Sequence, residues 1–487
     1  MERRSFLAAA LALPGAFRGV GLGAHREAPV RAPTRADDRF EQLARMVEEQ
    51  MRAHSIPGAA LGVLKDGQLL MRGFGVGSVE DPRLVTPDTV FELASLSKTV
   101  TATAAMRLVE QGKLDLDAPI RRYLPEFSVQ DAAASAAITT RQLLTHSSGF
   151  EPTFALDDLG RESLARWSAT TGDLIQLAPP GRVWSYSNPG YGLAGRVIEV
   201  LAEMDVRDAF RALVFDPLGL ERASARLEEV ATWPMTLGHR PGPNGAAVVV
   251  RPYSMGSSVP SGGVNMSLAS LMKYAGFHLG EHDGREGAIG RATRAAMQVE
   301  QLRKEPGGEG MAIGWHVRTL SGVLTAAHGG TAGAGHRCHL QIVPDRRLGF
   351  AILTNHTEGW RLLQDVERAA LAAYEGLALT PNQPICGYRG HTETLDHVTA
   401  LPVQPAPDAY LGRYRRSATS VTEVRADRSG RLLVGAGERA EPVLFHGPDI
   451  AFGAGPSNRG INHDFIRDGA QVRWLRIAGQ IARKETG

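Results

Sequence analysis

A proline-containing segment at residues 379–407 divides the chain into two parts with different hydrophobic patterns. Before it, helical runs alternate with short strand-like runs. After it, from Asp408 onward, short alternating runs are separated by turn signals such as Asp468-Gly469, a spacing typical of a small all-β barrel or sandwich. We therefore expect a first domain at 37–378, a linker at 379–407 and an all-β domain at 408–487.

The first part begins with a helix followed by a hairpin. Apolar residues recur at helical spacing over 37–54, and apolar runs at 59–65 and 68–74 flank Asp66-Gly67, which is a hairpin signal. This order predicts an α+β domain in which helices flank an antiparallel sheet. Further helices are predicted at 96–111, 139–145, 189–203, 268–277 and 366–374, and strands at 313–318, 338–343 and 348–353.

The N-terminus has the pattern of an export signal. Arg3-Arg4 precedes an apolar run, Phe6 to Phe17, that is shorter than the roughly 20 residues needed to span a bilayer. The segment resembles a twin-arginine signal. The pattern favours a signal peptide at 1–24 and a linker at 25–36 over an ordinary N-terminal arm. We expect an exported bacterial protein, periplasmic or secreted, without a stable membrane span.

The composition excludes several classes of protein. The chain has 54 Lys and Arg residues and 52 Asp and Glu residues. This balance provides no positive electrostatic field that would attract nucleic acid. Two cysteines exclude a disulfide-framed scaffold, and Cys338 and Cys386 are interpreted as separate thiols in preference to a pair. His336-Arg-Cys-His339 is a metal candidate, but strand alternation separates its side chains, and the pair His391 and His397 in the linker is a weaker candidate. We expect no cofactor or metal, and a small-molecule or peptide substrate as the partner.

Ser95-Leu-Ser-Lys98 begins the predicted helix at 96–111. Residues three positions apart on a helix share a face, so the lysine amine can take the proton of the serine hydroxyl if its pKa is depressed. The chain has six lysines, at 65, 98, 113, 273, 304 and 484. Ser270-Leu-Met-Lys273 has the same spacing, so the spacing alone does not identify the nucleophile.

Tyr186-Ser187-Asn188 lies between these two Ser/Lys pairs. A phenol near an ammonium can shuttle protons, and an amide can hold a substrate carbonyl. A plain packed aromatic residue is the less favoured interpretation of Tyr186. Asn188 also fits a helix N-cap with Pro189 at the first helical position, a role that does not exclude substrate binding.

The third motif is His328-Gly329-Gly330-Thr331. Two glycines beside a strand let a substrate approach the backbone, whose N–H groups can stabilise an oxyanion. An ordinary glycine-rich turn is the alternative interpretation.

In this order the three motifs resemble those of the serine β-lactamase and penicillin-binding-protein superfamily, nearest to its class C and DD-peptidase-like branch. The surrounding segments Phe91-Glu-Leu-Ala, Leu143-Leu-Thr-His-Ser-Ser-Gly149 and Pro260-Ser-Gly-Gly263 are also similar to that family. The resemblance covers about 40–375 and implies a sheet and a helical lobe with the site between them. Leu411-Gly-Arg-Tyr414 is similar to the start of lipocalin-like barrels appended to some of these hydrolases.

The resemblance implies a role for each motif residue. Ser95 would be acylated, Lys98 and Tyr186 would share proton transfer, and Asn188 would orient the acyl group. His328, Gly329, Gly330 and Thr331 would bind the substrate, with the N–H groups of Ser95 and Thr331 forming the oxyanion hole. His146 would satisfy backbone groups behind the site.

We therefore expect a cofactor-free serine hydrolase that cleaves a peptide, amide or ester through an acyl-enzyme, as D-amino-acid peptidases, carboxypeptidases and esterases of this family do. His328 stands where many β-lactamases have a lysine, which removes a permanent cation for a substrate carboxylate. This weakens the first alternative, a β-lactamase. The second alternative is a non-catalytic receptor for wall fragments or penicillin. The sequence does not specify an oligomeric state.

Overall fold

The computed structural model describes residues 37–152, 160–252, 255–281, 288–304, 309–379 and 399–486. The predicted signal peptide at 1–24, the predicted linker at 25–36 and Cys386 lie outside these residues, as does most of the predicted linker at 379–407. No helix among the described residues is long and apolar enough to cross a membrane.

The helices and strands follow in chain order. The helices are α1 (Asp38–Ala53), α2 (Ser97–Glu110), α3 (Ala132–Ala137), α4 (Thr140–Leu144), α5 (Ser163–Ser168), α6 (Asn188–Ala202), α7 (Val206–Phe210), α8 (Asp216–Leu218), α9 (Leu227–Val230), α10 (Val259–Gly262), α11 (Leu268–Leu279), α12 (Arg291–Met297) and α13 (Gly359–Glu375). The strands before the second part are β1 (Gly58–Lys65), β2 (Gln68–Gly75), β3 (Val90–Glu92), β4 (Ala223–Ser224), β5 (Gly238–Pro241), β6 (Ala247–Val250), β7 (Asn265–Ser267), β8 (Leu302–Arg303), β9 (Glu309–Met311), β10 (His316–Leu320), β11 (Val323–Thr331), β12 (Arg337–Val343) and β13 (Leu348–Thr354).

The central sheet is antiparallel, with the order β2-β1-β13-β12-β11-β10-β9-β8. The predicted hairpin is present and joins β1 to β2. Asp66 and Gly67 in its turn both adopt positive φ, at 50° and 80°. A two-residue turn that matches the right-handed twist of the strands requires positive φ at both positions. Strand β10 begins at His316, three residues later than the predicted strand at 313–318.

Helices cover both faces of this sheet. On one face α1 and α13 bury Phe40, Val47 and Val366 against β1 and β13. On the other face α11 approaches so closely that a Cβ at Gly62 of β1 would lie 2.8 Å from the Met272 side chain. The β1 strand is therefore buried on both sides, which explains why its sequence is apolar without alternation.

The helical lobe surrounds α2. Every residue of this helix from Ser97 to Met106 is buried, and α6, α7 and α10 pack around it. A helix buried on all sides carries no amphipathic stripe. The residues at its N-terminus are consequently fixed between the lobe and the sheet.

The second part is a closed eight-stranded antiparallel barrel. Its strands are β14 (Gly412–Arg415), β15 (Val421–Ala426), β16 (Leu432–Gly435), β17 (Glu441–Gly447), β18 (Ile450–Gly453), β19 (Asn462–Asp468), β20 (Gln471–Ile477) and β21 (Gln480–Lys484). Buried side chains such as Tyr414, Phe445 and Phe465 fill its interior. The predicted fold class, an α+β sheet and helical lobe followed by a small all-β barrel, is confirmed. The alternating runs in the sequence of this part are 420–426, 431–436, 442–445, 464–467 and 472–477. They correspond to five of the strands, and β14, β18 and β21 lie outside them.

Candidate active site

Ser95 and Lys98 are brought together by the first turn of the α2 region. Ser95 lies in a short 3₁₀ turn, Ala94–Leu96, that leads directly into α2. The Lys98 ammonium donates to Ser95 Oγ at 3.3 Å and to the Ser261 carbonyl at 2.6 Å. Ser95 is partly exposed whereas Lys98 is fully buried. A substrate can therefore reach the hydroxyl, and the amine beneath it is shielded from solvent.

Tyr186 completes the predicted trio. The Lys98 Nζ lies 4.8 Å from the centre of the Tyr186 ring and 5.5 Å from that of Tyr191. Tyr186 is only 2% exposed. The amine thus lies between the hydroxyl and the aromatic ring, and because the amine and the ring are buried, electrostatic interactions between them are strong.

His146 fixes the backbone that carries Tyr186, as the sequence predicts. Its ring stacks on the Tyr186 ring with centroids 4.4 Å apart and an angle of 27° between the planes. Its Nδ1 accepts from the Ser187 N–H at 3.0 Å, and its carbonyl accepts from the Ser185 N–H at 2.8 Å. His146 adopts a positive φ of 56°, so the chain turns sharply to make these contacts.

Asn188 is the first residue of α6, and the N-cap interpretation of its side chain is wrong. The cap is Ser187, whose hydroxyl accepts from the Gly190 N–H at 3.0 Å. Because the amide of Asn188 is not used in capping and the residue is partly exposed, its side chain is available to a ligand.

His328-Gly329-Gly330-Thr331 ends strand β11, so the interpretation as a glycine-rich turn is also wrong. A Cβ at Gly330 would lie 2.1 Å from the Leu93 carbonyl oxygen and 2.4 Å from Cys338 Sγ. Only glycine fits this position, and its absence of a side chain lets β11 approach the turn that carries Ser95. Thr331 is exposed beside that turn.

His328 is a buried, neutral imidazole. Burial, together with His316 and the Lys98 charge, holds the pKa of His328 well below its ordinary value. Its Nδ1 donates to the Gly329 carbonyl at 2.7 Å, which leaves Nε2 as the lone-pair nitrogen. The side chain that replaces the lysine of many β-lactamases therefore carries no charge near neutral pH.

A group of charges behind His328 was not predicted from the sequence. Lys304 Nζ lies 2.9 Å from Glu309 and 2.8 Å from His316 Nδ1, and 4.3 Å from the centre of the Trp184 ring. Burial raises the pKa of Glu309, but Lys304 and His316 outweigh it and hold that pKa well below the ordinary value. Burial lowers the pKa of His316 to about 4. The scarcity of lysine was the only sequence signal for this group.

The second Ser/Lys pair is not a site. Ser270 Oγ accepts from the Arg222 N–H at 3.1 Å, whereas Lys273 is exposed and donates to the Gly219 carbonyl at 3.2 Å. Each side chain satisfies a separate backbone group.

The histidines of the metal candidate also have separate partners. His336 Nε2 lies 2.8 Å from Thr236 Oγ1 and His339 Nε2 lies 3.3 Å from Gln341 Oε1. Within the described part of the chain, no group of His, Cys, Asp and Glu has the arrangement of a metal site.

The fold and this site define a class, in which a short turn carrying a serine and a lysine lies between an antiparallel sheet and a helical lobe. Residues 43–374 match the family model described as Beta-lactamase, and the chain belongs to this family of β-lactamases and penicillin-binding proteins. Most of its members are serine hydrolases.

Individual relatives extend the comparison. Penicillin-binding protein 4 of Amycolatopsis lactamdurans is 32% identical over 345 residues, which cover 67% of this chain and 88% of the relative. The sequence of SurE is 27% identical to this chain, and its crystal structure matches with a TM-score of 0.76 over 92% of this chain and 99% of SurE. A crystal structure of SurE with D-Leu also matches this chain. A class C β-lactamase from Rhodobacter sphaeroides shares the fold, at 24% identity and a TM-score of 0.57, over 68% of this chain and 99% of its own. The SurE match includes the barrel, whereas the class C match is limited to about the length of the first part.

Proposed function

We propose that this chain is a serine hydrolase that cleaves a peptide, amide or ester bond through an acyl-enzyme on Ser95. The observation that carries the proposal is the position of the Lys98 amine, which lies 3.3 Å from Ser95 Oγ and 4.8 Å from the centre of the Tyr186 ring. A nucleophile with an adjacent base, and a third group that orients the base, is the arrangement that acyl transfer requires.

In the proposed reaction, Ser95 Oγ attacks the substrate carbonyl while its proton passes to the Lys98–Tyr186 pair. The carbonyl oxygen becomes an oxyanion, which the N–H groups of Ser95 and Thr331 stabilise. The tetrahedral intermediate collapses, and the leaving group departs with the proton that the pair returns. A water molecule then attacks the acyl-enzyme and gives its proton to the same pair. As the bond to Ser95 Oγ breaks, the pair returns this proton to Oγ, so that the acid and the free Ser95 hydroxyl are released.

The charge of the site favours an acyl donor that lacks a carboxylate beside the scissile bond. The neutral His328 offers a lone pair where a lysine would offer an ammonium group, and Lys304 behind it is already paired with Glu309. A buried carboxylate without a cation is strongly disfavoured. The solved structure of SurE with D-Leu supports a D-configured amino acid as part of the substrate. Asn188 would bind the carbonyl of its acyl group.

A β-lactamase is the second candidate. The 32% identity with a protein named as penicillin-binding favours reaction with β-lactams. The neutral His328 argues for slow acylation by penicillins, which carry a carboxylate. A receptor without catalysis is less favoured, since the hydroxyl, the amine and the phenol are all retained and the amine lies next to both Ser95 Oγ and the Tyr186 ring.

We also propose that the protein is exported, because Arg3-Arg4 and the apolar run after it have the pattern of a signal peptide. Fractionation of cells that express the full chain, compared with an Arg3→Gln/Arg4→Gln variant, tests this. Recovery of the wild type and the variant together in the cytoplasmic fraction would contradict export.

The proposed activity is tested with a substrate panel on the full chain. The panel contains p-nitrophenyl esters, D- and L-leucine p-nitroanilides, peptides ending in D-residues, and nitrocefin. Turnover of esters or D-leucyl substrates is expected in the wild type and in Ser270→Ala, which is the matched control, and is expected to be lost in Ser95→Ala. Turnover that survives in Ser95→Ala would refute the proposal, and nitrocefin as the best substrate would favour the second candidate.

A further inference from the structure

The barrel contacts the segment that carries Tyr186. The hairpin formed by β20 and β21, with its turn Ala478-Gly479, is called the barrel hairpin below. The Gly479 carbonyl accepts from the Tyr186 N–H at 2.8 Å, and the Ile481 N–H donates to Ser185 Oγ at 3.2 Å. A second contact joins Arg476 to the Trp184 carbonyl at 3.3 Å. The three residues before Ser187, which are Trp184, Ser185 and Tyr186, are therefore all hydrogen-bonded to the barrel.

The opposite side of the same segment is bonded to His146. The N–H groups of Ser185 and Ser187 both donate to His146, to its carbonyl and its Nδ1 respectively. The amide between them, that of Tyr186, donates to Gly479 instead. The backbone that carries the phenol is thus held from two directions, by the helical lobe and by the barrel.

This contact is buried and extensive. Tyr186 and Arg476 are each 2% exposed and Ile481 is fully buried. Trp474 packs with Leu177 and Val183, and its indole N–H donates to the Leu177 carbonyl at 2.9 Å. If the barrel hairpin moved away, the Tyr186 amide would lose its partner in a buried environment, and native backbones avoid this.

The geometry of the turn sets the direction of the Gly479 carbonyl. Ala478 and Gly479 both adopt positive φ, at 48° and 80°. This is a two-residue turn in which a glycine fits without strain, whereas a β-branched residue does not. A larger residue at position 479 would force the peptide to rotate and would redirect its oxygen.

We propose that the barrel hairpin is a positioning element of the active site, which holds the Tyr186 backbone so that its phenol stays in reach of Ser95 and Lys98. This proposal rests on the proposed function, because it assigns the barrel a part in the same proton transfer. Gly479 acts through Tyr186 and touches no reacting atom. The barrel is then required for the chemical step, and not solely for binding substrate.

The test compares Gly479→Val with a matched control, Gly430→Val. Gly430 has nearly the same φ, 83°, in the turn between β15 and β16, and a Cβ there would meet nothing within 4 Å. Both variants place a β-branched residue in a left-handed turn of the same barrel. They differ in that only residue 479 is bonded to Tyr186.

Two measurements are made on the full chains. The first is the hydrolysis of a p-nitrophenyl ester, for which Gly479→Val is expected to lower kcat about 10- to 100-fold with KM changed less than about twofold, since small misplacements of catalytic groups have effects of this size. The second is hydrogen–deuterium exchange of the peptide that contains Tyr186, which is expected to become faster only in Gly479→Val. Gly430→Val is expected to match the wild type in both.

The outcomes separate this proposal from the proposed function. Equal kcat values and equal exchange in the two variants would overturn the positioning role. Faster exchange in Gly479→Val with an unchanged kcat would also overturn it, because the backbone would then move without consequence for the chemistry. If the wild type hydrolyses no substrate, the proposed function fails, and unchanged exchange in Gly479→Val would then refute the backbone contact independently.

Discussion

Lys98 donates a 2.6 Å hydrogen bond to the carbonyl of Ser261, a residue 163 positions further along the chain. This bond is shorter than the 3.3 Å contact between Lys98 and Ser95 Oγ. The amine is therefore anchored by the Pro260-Ser-Gly-Gly263 segment, which explains why that segment accompanies the three motifs. An anchored amine presents a fixed lone pair or proton to Ser95 and Tyr186.

Replacement of Lys98 by methionine should abolish most of the activity and leave the fold intact. Methionine is unbranched and similar in length to lysine, and it avoids the cost of keeping an ammonium group in a buried position. We expect kcat to fall about 100- to 10,000-fold, the range of one proton-transfer group. Lys273→Met, on the exposed end of the other Ser/Lys pair, is the control for ester hydrolysis and thermal unfolding. Equal activity of the two variants would contradict the role of Lys98.

A lysine at position 328 should make the site accept carboxylates. His328→Lys adds a cation where the wild type has a neutral imidazole, and a charge-assisted hydrogen bond contributes about 1.5–3 kcal/mol. The rate of acylation by benzylpenicillin should therefore rise about tenfold or more, as measured by intact mass spectrometry over time. His328→Gln, which is neutral, should show no increase. A similar increase in both variants would show that charge is not the reason.

The ion pair of Lys304 and Glu309 should be needed for stability as a pair. Their side chains are 5% and 12% exposed, so removal of one partner leaves the other charge nearly without solvent. We expect Lys304→Met to lower the free energy of unfolding by about 3–5 kcal/mol, and the double variant with Glu309→Gln to recover most of this loss. Urea unfolding measures both values. A double variant no more stable than Lys304→Met would show that the packing of the lysine stem matters more than its charge.

Acid should destabilise the protein partly through His278. Burial lowers the pKa of His278 to about 3 in the folded state, and the ordinary value is 6.5. The unfolded chain therefore binds the proton first, so this contribution to stability is complete above pH 6.5 and is lost as the pH falls toward 3.

From pH 7 to pH 5 this one group should remove about 2 kcal/mol of unfolding free energy. In His278→Gln the fall between these two pH values should be smaller by that amount in urea titrations. An identical fall in both proteins would mean that His278 is not buried in its neutral form.

The features predicted from the sequence were those encoded by neighbouring residues. Asp66-Gly67 identified the first hairpin, and Ser95 and Lys98 share a turn of one helix, so local spacing was sufficient. Strands β14, β18 and β21 are short and depend on their neighbours in the barrel for pairing. Strand β16 is equally short but was predicted, because its Leu-Leu-Val sequence is apolar. Asn188 was misassigned as a possible cap because Ser187, one residue earlier, is an equally good cap.

The resemblance predicted that the three motifs meet in one site, but other contacts between distant segments could not be predicted. The stack of His146 on Tyr186 joins residues 40 positions apart, and the bond from Tyr186 to Gly479 joins two parts of the chain with different folds. The pairing of Lys304 with Glu309 and His316 depends on the register of β8, β9 and β10. Tertiary structure alone determines these relationships.

Acylation of one serine is the central claim, and peptide mapping after reaction with a fluorophosphonate tests it most directly. The mass of the phosphonyl group is expected on the peptide that contains Ser95, in the wild type and in Ser270→Ala, and is expected to be absent from Ser95→Ala. An adduct on the peptide that contains Ser270, or one that forms at the same rate in Ser95→Ala, would contradict the account.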